Sequence, residues 1–357
     1  MKETMKPVKA RSRTVAIIGG GVAGLSAAVQ LAEKGIRPVI VESEPELGGK
    51  VKAYGCKGVR ECVHCDVCLG VNLIKEVKRL GVERLKGAKV LSLSGRPGRY
   101  RLRLSVDGSS STRTLSAGTI IVATGAEPFD PSVEKRLSHG RIKDVISAVE
   151  AEHQIRASGK LLVPSTGMAP KSVAFVQCVG SRDLSKGSGA CSKACCKYSW
   201  KMAQLLKRMD PETSILYLFM DWRPVDAQDD IRSWAAGQMN VRLVRSRPSE
   251  VLPGEDDRPL VRFATGDDSI IEEEAVDLVI LSVGMVPSAG SKELSHALRL
   301  EEDAQGFILT SELDRHQTSR PGVYAAGSCT GSKDIRESAK DGERAAGAAA
   351  RSLEEMQ

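Results

Sequence analysis

"TVAIIGGGVAGLSAAVQLAEKGIRPVIVE", residues 14–42, decides the fold. Residues 14–18 are a short apolar run opening onto Gly19, Gly20 and Gly21. The spacing that follows predicts a helix over 22–34, and 38–42 read as a second buried strand ending in Glu42. This is a β-α-β unit with G-x-G-x-x-G at Gly19, Gly21 and Gly24 and an acid 18 positions after the last glycine. Gly19 makes the tight turn, Gly21 lets backbone approach a pyrophosphate, and Gly24 lets helix and strand pack closely. The helix N-terminus offers free N–H groups to phosphates, while Glu42 can accept from a ribose hydroxyl. A lone glycine pattern could serve any loop. With strand, helix and acid all in place, a dinucleotide site is the reading.

The bulk numbers agree. A chain of 357 residues fits two domains, and 41% hydrophobic residues with 34 glycines fit an α/β protein. Aromatics at 4% argue against a stacking surface for single-stranded nucleic acid. The net charge of +7 is diffuse apart from "MKETMKPVKARSR" and "KEVKRLGVERLKGAK", which read as solvated faces, so no nucleic-acid partner is expected. No window holds 18 uninterrupted apolar residues, so no membrane span is expected. "VAIIGGGVAGLSAAVQLA" imitates a signal peptide but is Gly-rich, lacks a clear cleavage site and is better used as strand plus helix. The expected location is the cytoplasm, where nine cysteines point to metal or redox use rather than structural disulfides.

Three further stretches, "LGGK" (47–50), "GTIIVATGAEP" (118–128) and "GVYAAGSCTGSKDI" (322–335), resemble the FAD half of two-dinucleotide-binding-domain flavoproteins such as thioredoxin reductase. The resemblance implies that Gly49 and Lys50, Thr124 and Gly125, and Gly327 and Ser328 line one FAD. The usual Asp of the last motif is Ser328 here, which implies a weaker or backbone-mediated flavin contact. Alternation over 87–116 predicts a β-meander, and "PSTGMAP" (164–170) a linker. "KSVAFVQCVGSR" and the helix beginning "CSKACC" then form a second β-α-β unit, closed by "DLVILSVGMVPS". The expected class is α/β with two Rossmann-like domains and inserted iron–sulfur segments. A tail covers 1–13, the FAD domain 14–163 and 286–357, with a cysteine-rich segment at 50–70, and the second domain 164–285.

In the second unit the short phosphate loop is missing, since its only G-x-G, Gly187 and Gly189, lies well after the strand. Cys178, Cys191, Cys195 and Cys196 occupy that place as C-x12-C-x3-C-C, the last pair in the first turn of a helix. A helix N-terminus favours thiolates, so the anion in this crossover is read as a thiolate-bound cluster, with no nicotinamide site. The other set, Cys56, Cys62, Cys65 and Cys68, reads C-x5-C-x2-C-x2-C. C-x2-C-x2-C is a compact ferredoxin spacing and favours iron–sulfur. Structural zinc, which also accepts four thiolates, is the competitor, and free or disulfide cysteines are the bland alternative. His64 is read as exposed spacing and Cys329 as an ordinary buried thiol. In relatives such as glutathione reductase the redox cysteines follow the same G-G, which implies that this segment runs beside the flavin ring.

"FVQCVGSRD", "CSKACCKYSWKMA", "MDWRP" and "GSKDI" resemble the A subunit of heterodisulfide reductase, over about residues 14–347. The resemblance implies an FAD enzyme passing electrons through one or two 4Fe-4S clusters to B- and C-like subunits that reduce or oxidise sulfur compounds. Sulfur-carrier proteins, lipoate-bearing ones among them, and a homodimer are further expected partners. The family's cluster ligands fall on Cys178, Cys191, Cys195 and Cys196, and two adjacent ligands on one helix suggest an atypical cluster. The chain is most similar to the short A subunit of the sulfur-oxidising heterodisulfide reductase-like complexes. The A subunit of the quinone-interacting oxidoreductase of sulfate reducers comes next. Two rivals stay open: an NAD(P)H-dependent disulfide reductase with a dithiol from 56–68, and a zinc-knuckle scaffold. No catalytic base is assigned.

Overall fold

The computed structural model describes residues 12–58, 61–106, 112–185, 189–222, 231–266 and 270–356. Most of the expected tail, and Gly187, lie outside the described residues.

The opening stretch folds as read. Thr14–Ile18 is the central strand of a five-stranded parallel sheet, followed by the helix Val22–Glu33 and the neighbouring strand Arg37–Val41. The sheet order is Val323–Ala325, Thr119–Val122, Thr14–Ile18, Arg37–Val41, Glu83–Leu85. All five residues of the central strand are buried, because a parallel sheet is covered on both faces. Val15 and Ile17 face the helix Val22–Glu33 and the long C-terminal helix Ile335–Glu355. Ala16 and Ile18 face the expected meander, Ala88–Ser94, Tyr100–Val106 and Thr112–Ala117. The run of small residues in the C-terminal helix has a packing reason. A Cβ at Gly342 would lie 2.1 Å from Ala23 O, so the two helices touch backbone to backbone.

The second domain repeats this plan. Its parallel sheet runs Val241–Arg245, Ser214–Phe219, Ser172–Val179, Leu278–Val283, Val145–Ser147. The helix Ala194–Met209 covers one face, and the antiparallel strands Glu250–Pro253, Pro259–Thr265 and Ile270–Ala275 cover the other. The α/β class with two Rossmann-like domains is therefore observed.

The chain passes between domains earlier than the expected boundary at 163/164. Val145–Ser147 pairs with Leu278–Val283 as an edge strand of the second sheet. The helix Ala148–Ser158 follows directly, its N-terminus fixed by a capping box between Ser147 and Glu150. A three-residue strand has no periodicity to read, so only the pairing reveals its sheet. The crossing is at Ala126–Pro128, which pairs antiparallel with the returning Met285–Pro287, beside the expected 286. Among the described residues no helix is long and apolar enough to cross a membrane.

Candidate functional site

Four segments converge on the N-terminus of the helix Val22–Glu33. Gly19 has φ +108°, and a Cβ there would lie 2.4 Å from Ala123 O, so turn and neighbouring strand both exclude a side chain. A Cβ at Gly24 would lie 2.0 Å from Gly19 O. Gly21 differs. Its φ is −78°, and a Cβ would meet nothing nearer than Gly49 Cα at 4.0 Å. The protein therefore does not need glycine at 21 for its own packing, and the gap suits a ligand backbone. No side chain caps this helix, which leaves its N-terminal dipole available to an anion.

Glu42 ends its strand buried, with one carboxylate oxygen accepting the Gly20 N–H at 2.6 Å and the other the Glu44 N–H at 2.8 Å. A carboxylate has acceptor sites beyond these two, so a ribose hydroxyl can still be received. Gly49 begins a short 3-10 turn and faces Gly21. Thr124 follows the Ala123 that abuts Gly19, and its hydroxyl is buried without a hydrogen-bond partner. Gly125 is left-handed, at φ +73°, with open space around it. Gly327 lies against the helix start, where a Cβ would come within 2.6 Å of Ala23 Cβ. Lys50 instead points outward and pairs with Glu127.

Ser328 does not supply what the missing acid would. Its hydroxyl is 3.4 Å from Lys333 O. An acid reaches the turn from elsewhere, since Asp341 on the C-terminal helix accepts the Gly327 N–H at 2.8 Å. Lys333 Nζ stands 3.4 Å from the same carboxylate. Nothing in the local sequence marks Asp341, which lies 14 residues on from Gly327. The orphaned Thr124 hydroxyl, the uncapped helix and the gap at Gly21 together fit a dinucleotide.

In the second domain the strand-to-helix connection spans residues 180–193, against 19–21 in the first. Cys178 sits at φ +63°, where pairing with Leu278–Val283 slips between Val176 and Val179. Such a bulge re-aims a side chain, at a backbone cost of about 1–3 kcal/mol. It brings the Cys178 thiol to Cys195, and both are buried with Cys196. Hydrogen bonds from Cys178 and Cys196 hold Cys195 well below the usual thiol range. The same bond to Cys195, together with burial and the negative field of its neighbours, pushes Cys178 up. Cys191 is half-buried nearby, its sulfur accepting the Lys193 N–H at 3.3 Å. Arg182, on the same connection, pairs with Asp221 at 2.8 Å and lies within electrostatic reach of Cys178 and Cys191.

The surroundings of this set carry loose ends. One Arg182 Nη, the Ser181 hydroxyl and Gln177 Oε1 are buried without partners. The Arg182 Nη and the Ser181 hydroxyl are donors and fit an anionic group with acceptor sulfurs, whereas Gln177 Oε1 only accepts and does not. The other set is built differently. Cys56, Cys62 and Cys68 are exposed and Cys65 half-buried, with the Cys62 sulfur accepting the His64 N–H at 3.3 Å. His64 is exposed, as expected. Among the described residues, no three or more His, Cys, Asp or Glu side chains stand in metal-ligating geometry. Cys329 is an ordinary buried thiol, donating to Ala326 O at 3.2 Å.

Over residues 13–350 the chain matches the pyridine nucleotide-disulphide oxidoreductase family. It belongs to that family, and is an oxidoreductase by class. Among solved structures it is similar to the thioredoxin reductase of Lactococcus lactis, with a TM-score of 0.60 at 21% identity over 96% of this chain and 99% of that one. The thioredoxin reductase of T. acidophilum gives 0.59 at 18%, over 97% and 100%. The fold is thus that of the thioredoxin reductases, as expected. Curated relatives include the A subunit of the ferredoxin:CoB-CoM heterodisulfide reductase of Methanosarcina mazei, 30% identical over 93% of this chain and 52% of that protein. The A subunit of the H(2):CoB-CoM heterodisulfide,ferredoxin reductase of Methanothermobacter thermautotrophicus is 28% identical over 94% and 62%. The chain therefore spans about half to three fifths of the length of these relatives. The expected resemblance to heterodisulfide reductase A subunits is borne out.

Proposed function

We propose that this oxidoreductase is the FAD- and iron–sulfur-containing electron-transfer subunit of a heterodisulfide reductase-like complex in sulfur metabolism. The observation that carries the reading is the second crossover. There a 180–193 connection with buried Cys195 and Cys196 and a bulged Cys178 replaces the three-residue glycine turn of the first domain.

Gly19, Gly21 and Gly24 with the helix N-terminus would hold the pyrophosphate, Glu42 a ribose, and Gly49, Thr124, Gly125 and Gly327 the rest of FAD. Bound FAD exchanges electrons singly or in pairs, and 4Fe-4S clusters carry single electrons. The chain's own part is to bind, orient and tune, and no side chain is assigned as an acid or base. Cys178, Cys191, Cys195 and Cys196 would ligate one cluster, and Cys56, Cys62, Cys65 and Cys68 a second. Metal binding itself draws such ligands in, because the metal's binding energy is coupled to local folding. Backbone strain is concentrated where this reading needs it. Of ten non-glycine residues with positive φ among the described residues, five (His64, Asp66, Cys178, Arg182 and Lys193) belong to the two cysteine segments.

The exposed Cys56, Cys62 and Cys68 suit electron exchange with a docked protein. B- and C-like subunits and sulfur carriers, lipoate-bearing ones included, are the proposed partners. Nine free thiols suit the reducing cytoplasm. We read the chain as an A subunit of the sulfur-oxidising type. Anaerobic purification followed by a visible spectrum and iron, sulfide and zinc analysis tests the reading. Flavin with iron and acid-labile sulfide is expected, and zinc without iron would contradict it.

A further inference from the structure

Asp66 lies between Cys65 and Cys68, at φ +62°, where the loop enters the helix Val67–Arg79. Its carboxylate pairs with two side chains from distant parts of the chain. Arg336 Nη2 stands at 2.7 Å and Lys197 Nζ at 3.3 Å. Lys197 directly follows Cys196 on the second domain's helix Ala194–Met209. It also pairs at 3.0 Å with Asp334, the N-cap of the C-terminal helix. The Lys197, Asp66 and Asp334 side chains are only 7%, 11% and 8% exposed, so these ion pairs lie inside the domain interface. Further along the same helix, Arg208 donates to Glu61 O at 2.9 Å. One helix thus grips residues 61–66 at two points, 11 residues or about 16 Å apart.

We propose that Lys197 is a positioning residue that docks the 61–68 cysteine segment onto the second domain's cysteine helix, holding both cysteine sets as one unit. Its purpose rests on the reading of both sets as cluster ligands, whereas the docking itself stands on the ion pairs. Interfaces between domains of one chain ordinarily permit relative motion. Electron transfer falls steeply with distance, so two redox sites on opposite domains need a fixed separation. Buried charges suit this task better than apolar packing does. An apolar contact tolerates sliding, while a buried carboxylate is satisfied only where its cation meets it. Lys197 meets Asp66 from the cysteine loop and Asp334 from the flavin domain's last helix, so one side chain ties three elements.

Amide hydrogen exchange on the anaerobically purified full chain tests this. In Lys197→Met protein the amides of 61–66 should exchange at least about tenfold faster than in the wild type, with the Ser172–Val179 amides unchanged. Lys197→Arg should restore slow exchange, which general destabilisation by the methionine would not predict. Unchanged exchange at 61–66 in Lys197→Met protein overturns the docking role. Should that variant fail to fold, Lys197→Gln removes the same cation with a polar side chain and leaves the Arg336–Asp66 pair in place. It is read by the same criterion. Iron is measured on the same samples. Wild-type protein without iron contradicts the cluster reading, and the exchange comparison decides the docking role by itself.

Discussion

Lys57 Nζ stands 2.7 Å from the Glu152 carboxylate, with the two side chains only 2% and 8% exposed. Lys57 follows Cys56, and Glu152 belongs to the helix Ala148–Ser158 of the other domain, so the pair joins the start of the cysteine segment to that domain. The fit around it is tight. The Gly55 N–H donates to Glu152 at 3.2 Å, and a Cβ at Gly55 would lie 2.4 Å from Ile155 Cγ2. Removing one member of a buried pair strands the other charge, at about 3–5 kcal/mol. Lys57→Met should therefore destabilise by that order in urea unfolding, and Lys57→Met/Glu152→Leu by clearly less than the sum of the single changes. Additive losses would show that the two charges do not act together.

Two glycines of the same turn should fail differently. Gly21→Val has room within the protein, so it should fold with unchanged circular dichroism yet lose bound flavin on desalting. Gly24→Ala would place its methyl 2.0 Å from Gly19 O and should lower stability as well as flavin content. Full flavin retention by the Gly21→Val protein would refute the assignment of the loop.

Neither NADH nor NADPH should reduce the flavin at a useful rate. The second crossover carries cysteines on a long connection, where a nicotinamide dinucleotide would need a short glycine turn. Stopped-flow mixing under anaerobic conditions measures this, and rapid stoichiometric bleaching by either nucleotide would favour the disulfide-reductase alternative.

The first domain was legible because its signals are local. Strand, glycine turn, helix and Glu42 fall within residues 14–42, and each is tied to a short-range steric duty. The second domain's cysteine spacing was equally readable, but its geometry was not. The bulge that turns Cys178 toward Cys195 depends on pairing with Leu278–Val283, a hundred residues further on. The edge strand Val145–Ser147 is three residues long and becomes visible only through its partner. Asp66, Lys197, Asp334 and Arg336 look like ordinary surface charges in the sequence. Their meeting depends on how two domains sit together. Asp341 was missed for the same reason, since a helix at the far end of the motif delivers it to Gly327.

Cysteine alkylation should separate the thiols by environment. In chelator-treated protein Cys56, Cys62 and Cys68, which are exposed, should react rapidly with iodoacetamide at pH 8. Burial pushes the Cys329 thiol up to about 11, leaving about a hundredfold less thiolate than an ordinary cysteine, so it should stay unmodified until the protein unfolds. Iron-loaded protein should protect the first three as well. Mass spectrometry of the alkylated peptides decides it, and equal labelling of Cys56, Cys62 and Cys68 with and without iron would argue against a cluster there.

The central claim is that the two cysteine sets hold two iron–sulfur clusters, and iron analysis with low-temperature EPR on two double variants tests it most directly. Cys195→Ser/Cys196→Ser protein should lose one cluster's iron and signal while keeping its FAD, because those ligands belong to the other domain. Cys62→Ser/Cys65→Ser protein should lose the other cluster. Unchanged iron in the Cys195→Ser/Cys196→Ser protein would contradict the account.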